Sequence, residues 1–319
     1  MRDTATGGCN FDRKGTYLMD KKKLFEVSAR DYSQAHGFSV YYPASLDRPC
    51  DHAVMFINEA NEHRISELSD IKHCIIFCMP YLAIPNETEE SNLFIRTSDP
   101  RTAYCLFFRE HHIANMPDFE EVSMVNGAHI SPQAKVGEET VVMPFAYIGG
   151  EVSIGRRCYI GAGVRLVGRV RIGDDVVIRE NSVIGADGLS TDRDENGQAA
   201  TMPQFGGVTI EDRVQIGALT VIARGAIDDT VIGAGAKIDN SSFISHNVKI
   251  GSDTLVVGET IFFGGSSTGS GAFISGNTAV RNKRKIGEKA FVGMGSVVTK
   301  DVADGAIVCG NPAHEIKQE

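Results

Sequence analysis

The chain has 319 residues, 42% of them hydrophobic, so it is long enough for two domains with a substantial core. Its formal charge of -9 excludes a protein whose main work is holding nucleic-acid phosphates by bulk charge. Seven cysteines without a CxxC pair exclude a disulfide framework or a cysteine zinc site, and with no 18-residue apolar window for a membrane span they point to a cytoplasmic protein.

In chain order, residues 1–20 are polar and contain Gly, which predicts a flexible leader without the apolar core of a signal peptide. Residues 21–125 read as a small α/β domain. Ala53-Val-Met-Phe-Ile57 and Cys74-Ile-Ile-Phe-Cys78 are buried strands, and Asn61 to Ser69 is a polar helix between them. Asn92-Leu-Phe-Ile95 is a further strand before a helix over Pro100 to Glu110. A linker with Asn115, Pro117 and acidic Asp118 to Glu121 follows.

From Ile130 to Val298 an aliphatic residue recurs every six positions, as in Val136, Val142, Ile148, Ile154 and Ile160, resuming at Ile210, Ile216 and Ile222 and again at Ile232, Ile238 and Ile244. A period of six cannot be an α-helix, whose apolar period is 3.6. It predicts a mainly β fold, a parallel β-helix over 126–302, in which three hexapeptides make a coil of about 18 residues and coils stack about 4.8 Å apart. Gly, Asn and Asp accept the positive φ of tight corners. The repeat breaks between Leu189 and Val208, which predicts a loop over 189–207 leaving a corner as a candidate substrate wall, and is less regular over Gly264 to Gly271. Residues 303–319 form a tail.

His246 is the only histidine deep inside the repeats. Gly264, one coil later, should bring its N–H near the imidazole edge, and a base beside a backbone donor is what acyl transfer requires. Asp239, one hexapeptide earlier, reads equally as the group that orients the ring or as a turn residue. A zinc site of the gamma-carbonic-anhydrase kind would need further histidines at coil spacing, and neither Asp228 nor Gly264 supplies one, so no metal is expected.

Ile184-Gly-Ala-Asp-Gly188, Pro203-Gln-Phe-Gly-Gly-Val208, Arg224-Gly-Ala-Ile-Asp-Asp-Thr-Val-Ile-Gly233, Lys237-Ile-Asp-Asn240 and Ser245-His-Asn-Val-Lys-Ile-Gly251 closely resemble the UDP-3-O-acylglucosamine N-acyltransferases of lipid A synthesis. Met55-Phe-Ile-Asn58 resembles, more weakly, the strand with which that family holds uridine. The resemblance implies a homotrimer of left-handed β-helices with active sites between subunits, His246 as general base and Gly264 N–H as oxyanion donor. It further implies Asp239, Asn240, Asn247 and Gln204 beside the substrate, and Phe56 and Asn58 at a nucleotide base. Three departures stand out: Lys283 where the family has a second histidine, Ala223 where it is usually acidic before Arg224-Gly225, and no helical extension after the repeats. Ile286 to Val302 followed by Gly310-Asn-Pro-Ala313 is similar instead to the closing coils of CoA-dependent nucleotide-sugar N-acetyltransferases, where Arg281, Lys283 and Arg284 would meet a CoA phosphate or an acidic carrier protein, or simply be a solvated basic turn.

The implied activity is N-acylation of a nucleotide-linked amino sugar from a thioester. Acyl carrier protein or CoA would carry the acyl group as co-substrate, with no bound cofactor. The acceptor is either UDP-3-O-acylglucosamine or a UDP- or dTDP-amino deoxysugar; a catalytically silent trimeric scaffold is the reading from another class.

Overall fold

The computed structural model describes residues 23–113 and 121–315. The expected leader over 1–20 and most of the linker around Asn115 and Pro117 lie outside them. By its internal contacts the chain divides into two units, Met1–Pro100 and Arg101–Glu319, which places the helix Pro100–Glu110 almost wholly with the second.

The first unit is built on a four-stranded parallel sheet, Tyr42–Pro43, Ala53–Ile57, Ile75–Cys78 and Leu93–Arg96, in that spatial order. All four residues of Ile75–Cys78 are buried, as a central parallel strand covered on both faces requires. The polar segment between the first long strands is a 3-10 helix, Glu59–Leu68, whose one buried residue is Leu68. A short helix, Asn86–Ser91, was not legible in the sequence. Buried Asn92 explains how it ends: its amide accepts from Cys74 N at 3.0 Å and donates to Ile71 O and Thr88 O.

The second unit is a parallel β-helix of three sheets with ten, ten and eight strands. Strands pair eighteen residues apart, as Val141 with Tyr159, Val152 with Val170 and Tyr147 with Arg165. Most strands are two residues long, with one residue turned inward and buried. The inward residues stack as ladders; one of them runs Ile148, Leu166, Ile184, Ile222, Ile244, Phe262, Val280 and Val298, all at most 1% exposed. Corners are turned by left-handed residues, including Asn181, Asn247 and Asp253, whose short polar side chains tolerate positive φ. A single methylene matters in such a close-packed stack: Ile222→Val is expected to cost about 0.5–1.5 kcal/mol, read as a shift of the urea midpoint at unchanged slope.

Two insertions interrupt the coils. Val183 pairs with Val221, thirty-eight residues on, so twenty residues leave the coil where the sequence predicts the loop. They form an antiparallel hairpin, Thr191–Arg193 with Ala199–Thr201. Val208 pairs with Thr230, twenty-two residues on, so a further four residues are inserted around Gly225. The expected irregularity at Gly264 to Gly271 is absent. Ser267–Thr268 pairs in register with Lys285–Ile286, because Thr268 Oγ1 accepts from Gly251 N at 2.9 Å and so satisfies the one hydroxyl in an aliphatic ladder.

Candidate active site

His246 follows the inward Ile244 by two residues and sits at the corner beyond the strand Phe243–Ile244. Two glycines flank it. A Cβ on Gly264 would lie 2.5 Å from the ring's Nε2, and a Cβ on Gly188 would lie 2.8 Å from the Cβ of His246. Glycine at both positions is therefore the condition for the imidazole to fit.

The tautomer of the ring follows from its neighbour. Asn247, in the left-handed region at φ 60°, donates its amide Nδ2 to Asp228 O at 2.9 Å, so its Oδ1 is the acceptor end. That oxygen accepts from Ala226 N and lies 3.0 Å from His246 Nδ1, which must then carry the proton. Nε2 keeps its lone pair and is the basic nitrogen. Gly264 carries no hydrogen bond on its own N–H among the described residues, while Gly265 N donates to His246 O at 2.9 Å and fixes the two coils in register. An imidazole whose unprotonated nitrogen lies beside Gly264, a residue with an unengaged peptide N–H, is the pairing in which the ring can take a proton and the peptide can hold an oxyanion. Gly264→Ala would press a methyl against Nε2 and is expected to lower turnover on the order of 10²-fold with little change in the urea midpoint.

The long insertion reaches the same nitrogen. Ser190, 4% exposed, has its Oγ 3.4 Å from His246 Nε2. Its hairpin is anchored by Arg101 to Asp192, by Arg109 to Asp194 at 3.1 Å, and by Phe205 against Phe108 with ring centroids 5.2 Å apart. Sequence reasoning missed Ser190, because contact with His246 depends on the path of the hairpin and not on the repeat.

Beside this corner lies an ionic network that the repeat pattern also did not announce. Asp229, with a side chain 4% exposed, accepts from Arg169 at 2.7 Å, Gly207 N at 2.8 Å, Arg171 at 3.2 Å and Thr209 Oγ1 at 3.0 Å. Burial by itself would raise its pKa; Arg169, Gly207 N–H, Arg171 and Thr209 outweigh burial and hold it below the usual carboxylate range. Arg224 is buried enough for its pKa to be lowered, donates its Nε to Gly206 O at 2.7 Å and lies 3.8 Å from Asp187. Asp187 is raised by its own burial, with Arg224 opposing.

The other expected site residues separate into groups. Asp239 does not touch the imidazole; its carboxylate accepts from Asn240 N at 2.8 Å and Gly258 N at 3.3 Å, because it lies beyond the strand Lys237–Ile238 of another sheet. The ring is oriented by Asn247, so of the two readings of Asp239 the ring-orienting one is not met, and the Asn247 amide is bonded to His246, Ala226 N and Asp228 O. Asp239 and Asn240 line an open groove of about 400 Å³ with Gln215, Lys237, Arg179 and Leu255. Gln204 is buried, 1% exposed, and donates to Met202 O within the insertion. Lys283 is the next-coil neighbour of Gly264, donating its N–H to Gly264 O at 3.1 Å with an exposed side chain. Arg281 is exposed, and Arg284 is paired with Asp301 at 3.3 Å. In the first unit, Phe56 is half-buried on the strand Ala53–Ile57, and the buried Oδ1 of Asn58 at the strand's end has no partner among the described residues. No group of three His, Cys, Asp or Glu side chains among the described residues converges to hold a metal ion.

Residues 133–168 and 151–186 match the model of the bacterial transferase hexapeptide (six repeats). UDP-3-O-acylglucosamine N-acyltransferases of Francisella tularensis subsp. holarctica and Coxiella burnetii are 53% identical over 79 residues and 51% over 82, stretches that make up 25% and 26% of this chain and 23% and 24% of those proteins. The chain thus spans about a quarter of the length of the curated relatives it matches. Among solved structures, UDP-N-acetylglucosamine acyltransferases from Bacteroides fragilis (24% identity, TM-score 0.55) and Campylobacter jejuni (21%, 0.54) each cover 61% of this chain and 74% of their own, and show the fold. In repeat and in architecture the chain is a left-handed parallel β-helix protein of the hexapeptide kind, similar over about a quarter of its length to UDP-3-O-acylglucosamine N-acyltransferases.

Proposed function

We propose that the protein is an N-acyltransferase that moves an acyl group from a thioester to the amine of a nucleotide-linked amino sugar. The observation that carries this is the state of His246: Nδ1 is committed as a donor to Asn247, and Nε2 is left with its lone pair beside Gly264, whose N–H is unengaged among the described residues. His246 Nε2 accepts the proton of the attacking nucleophile, Gly264 N–H supports the tetrahedral oxyanion, and the imidazolium returns the proton to the departing thiolate. The local identity to UDP-3-O-acylglucosamine N-acyltransferases supports a UDP-sugar acceptor.

We take the working form to be a homotrimer, whose subunits would cover the groove lined by Asp239 and Asn240. The acyl donor is an acyl carrier protein or CoA thioester, met by Lys283 and Arg281 on the exposed turn one coil beyond Gly264. A cytoplasmic location suits both donors, and no helix among the described residues is long and apolar enough to cross a membrane. CoA-dependent acylation of a UDP- or dTDP-amino deoxysugar is the second reading, favoured by the closing coil Phe291–Val292, Val297–Val298 and Ile307–Cys309.

The test is amine-dependent thiol release with UDP-3-O-acylglucosamine and with UDP- and dTDP-amino sugars, each offered a hydroxyacyl carrier protein and short acyl-CoAs. Turnover with the carrier protein on the glucosamine substrate is the expected result. Turnover with CoA donors alone selects the second reading, and no thiol release with any pairing of amino sugar and donor leaves the silent-scaffold reading.

A further inference from the structure

The four-residue insertion around Gly225 is not needed by the coil that carries it. Ile222 and Ile232 both point inward and are fully buried, yet they stand ten positions apart, and removal of residues 225–228 would restore the spacing of six. What these residues meet instead is Asn247. Ala226 N–H donates to Asn247 Oδ1 at 3.0 Å, and the Asp228 carbonyl accepts from Asn247 Nδ2 at 2.9 Å. A peptide N–H can only donate and a carbonyl can only accept, so each end of the amide is matched to one group and the amide keeps one orientation. Asn247 N–H donates to Thr230 Oγ1 at 2.9 Å, which holds the backbone at the foot of the bulge as well.

The bulge is itself tied down. Its two ends donate to one carbonyl, Gly225 N at 3.1 Å and Thr230 N at 3.0 Å from Gly207 O. The Gly225 carbonyl accepts from Gly206 N at 3.0 Å, and the Ala226 carbonyl accepts from Phe205 N at 2.7 Å. Gly207 N in turn donates to Asp229 Oδ1 at 2.8 Å, and Asp229 is paired with Arg169 and Arg171. A Cβ at position 225 would run into the Asp228 carbonyl that Asn247 uses, so glycine is required there. A continuous path of bonds therefore leads from a buried carboxylate, through Gly207 and the bulge, to the amide beside the imidazole.

The effect of this path falls on His246. Asn247 Oδ1 lies 3.0 Å from Nδ1, and with the amide held this way Nδ1 carries the proton. A histidine side chain left to itself in water prefers its proton on Nε2, the nitrogen that a base for acyl transfer needs free. An amide turned the other way would present Nδ2 to Nδ1 and enforce that unproductive tautomer. We propose that residues 225–228, anchored by Asp229, are a positioning element for the acyl transfer: they select the orientation of the Asn247 amide and so keep Nε2 of His246 unprotonated. The tautomer is a property of the ring and needs no substrate, and only the effect on rate rests on the acyltransferase reading.

The experiment is long-range proton–nitrogen correlation NMR on the full-length protein labelled with nitrogen-15 histidine, at alkaline pH where the rings are neutral, with His246 assigned by its loss in His246→Gln. Wild type should show Nδ1 protonated and Nε2 bare. Deletion of residues 225–228 should move the proton to Nε2 in most molecules and lower kcat by the fraction so displaced, roughly 10-fold, with less change in KM. Gly225→Ala, which displaces the Asp228 carbonyl alone, should do the same and serves as the second variant if the deletion does not fold. A carboxylate has no donor to present to the ring, so Asn247→Asp should return the proton to Nδ1 and restore rate in either background. In the intact protein the same substitution sets a carboxylate oxygen against Asp228 O and should slow turnover, a reversal of sign that general damage to the coil does not produce. Nε2 protonated in wild type overturns the proposal. So does a tautomer unchanged by both bulge variants, and thiol release would then leave the acyltransferase reading intact. Tautomers that move as expected, with no thiol release by any of the proteins, uphold the positioning element and overturn that reading.

Discussion

His246→Ala is expected to lower kcat about 10²- to 10⁴-fold with a smaller effect on KM, because the base acts on a proton that moves only in the transition state. The substitution removes an imidazole packed between two glycines at a corner, so the fold should survive it: Gly188, Gly264, Ser190 and Asn247 are the residues that lose a neighbour. His246→Gln keeps a side chain that can accept Ser190 O–H but cannot take up a proton at neutral pH, and should be as slow as the alanine variant. Asn247→Ala should retain more rate than either, since it leaves the base and frees only its tautomer. Thiol release measured under saturating donor and acceptor separates the three. A His246→Ala protein at full rate would remove the imidazole from the chemistry.

Asp229→Ala is expected to have the largest effect on stability, about 3–5 kcal/mol, because it leaves the Arg169 and Arg171 guanidiniums beside a vacated acceptor site. It also strips Gly207 N–H and Thr209 of their acceptor. The same residue sets a pH dependence. Its folded pKa is below the unfolded one, so its contribution is complete above the unfolded aspartate value of ~3.9 and is lost as pH falls through the lower folded value. Urea midpoints of wild type and Asp229→Ala should therefore differ most near neutral pH and converge in strong acid. Because Asp229 stands between the four-residue insertion around Gly225 and the strand Thr230–Ile232, which pairs with Val208–Ile210, we expect activity to fall with stability in this variant.

The period of six made the β-helix legible, since burial on a ladder depends on nothing but the recurrence of one aliphatic position. It made His246 and Gly264 legible as well, because their relation is one coil of spacing. What escaped was whatever departs from that spacing. Ser190 reaches Nε2 by way of a hairpin, and Asn247 turns its amide back on its own neighbour from a left-handed corner; neither geometry has a periodic signature. Asp239 failed for the opposite reason. One hexapeptide is one face of the triangle, so a residue about six positions away lies beyond a strand of another sheet, and the reading counted distance along the chain where orientation decided. Gly264 to Gly271 looked irregular by composition, yet Thr268 takes an inward position once its hydroxyl has an amide to accept from. The four-residue insertion around Gly225 was visible only as a shift in phase between Ile222 and Ile232.

The coil-on-coil register has a consequence for how the molecule comes apart. Each strand of the stack is bonded only to the coil before it and the coil after it, so cohesion is a chain of nearest-neighbour couplings and not a single shared core. Loss of order should begin as fraying at the outermost coils, near Ala128–Ile130 and Ile307–Cys309, and travel inward one coil at a time. Gly188, His246 and Gly264 lie in the middle of the stack, where that erosion arrives last.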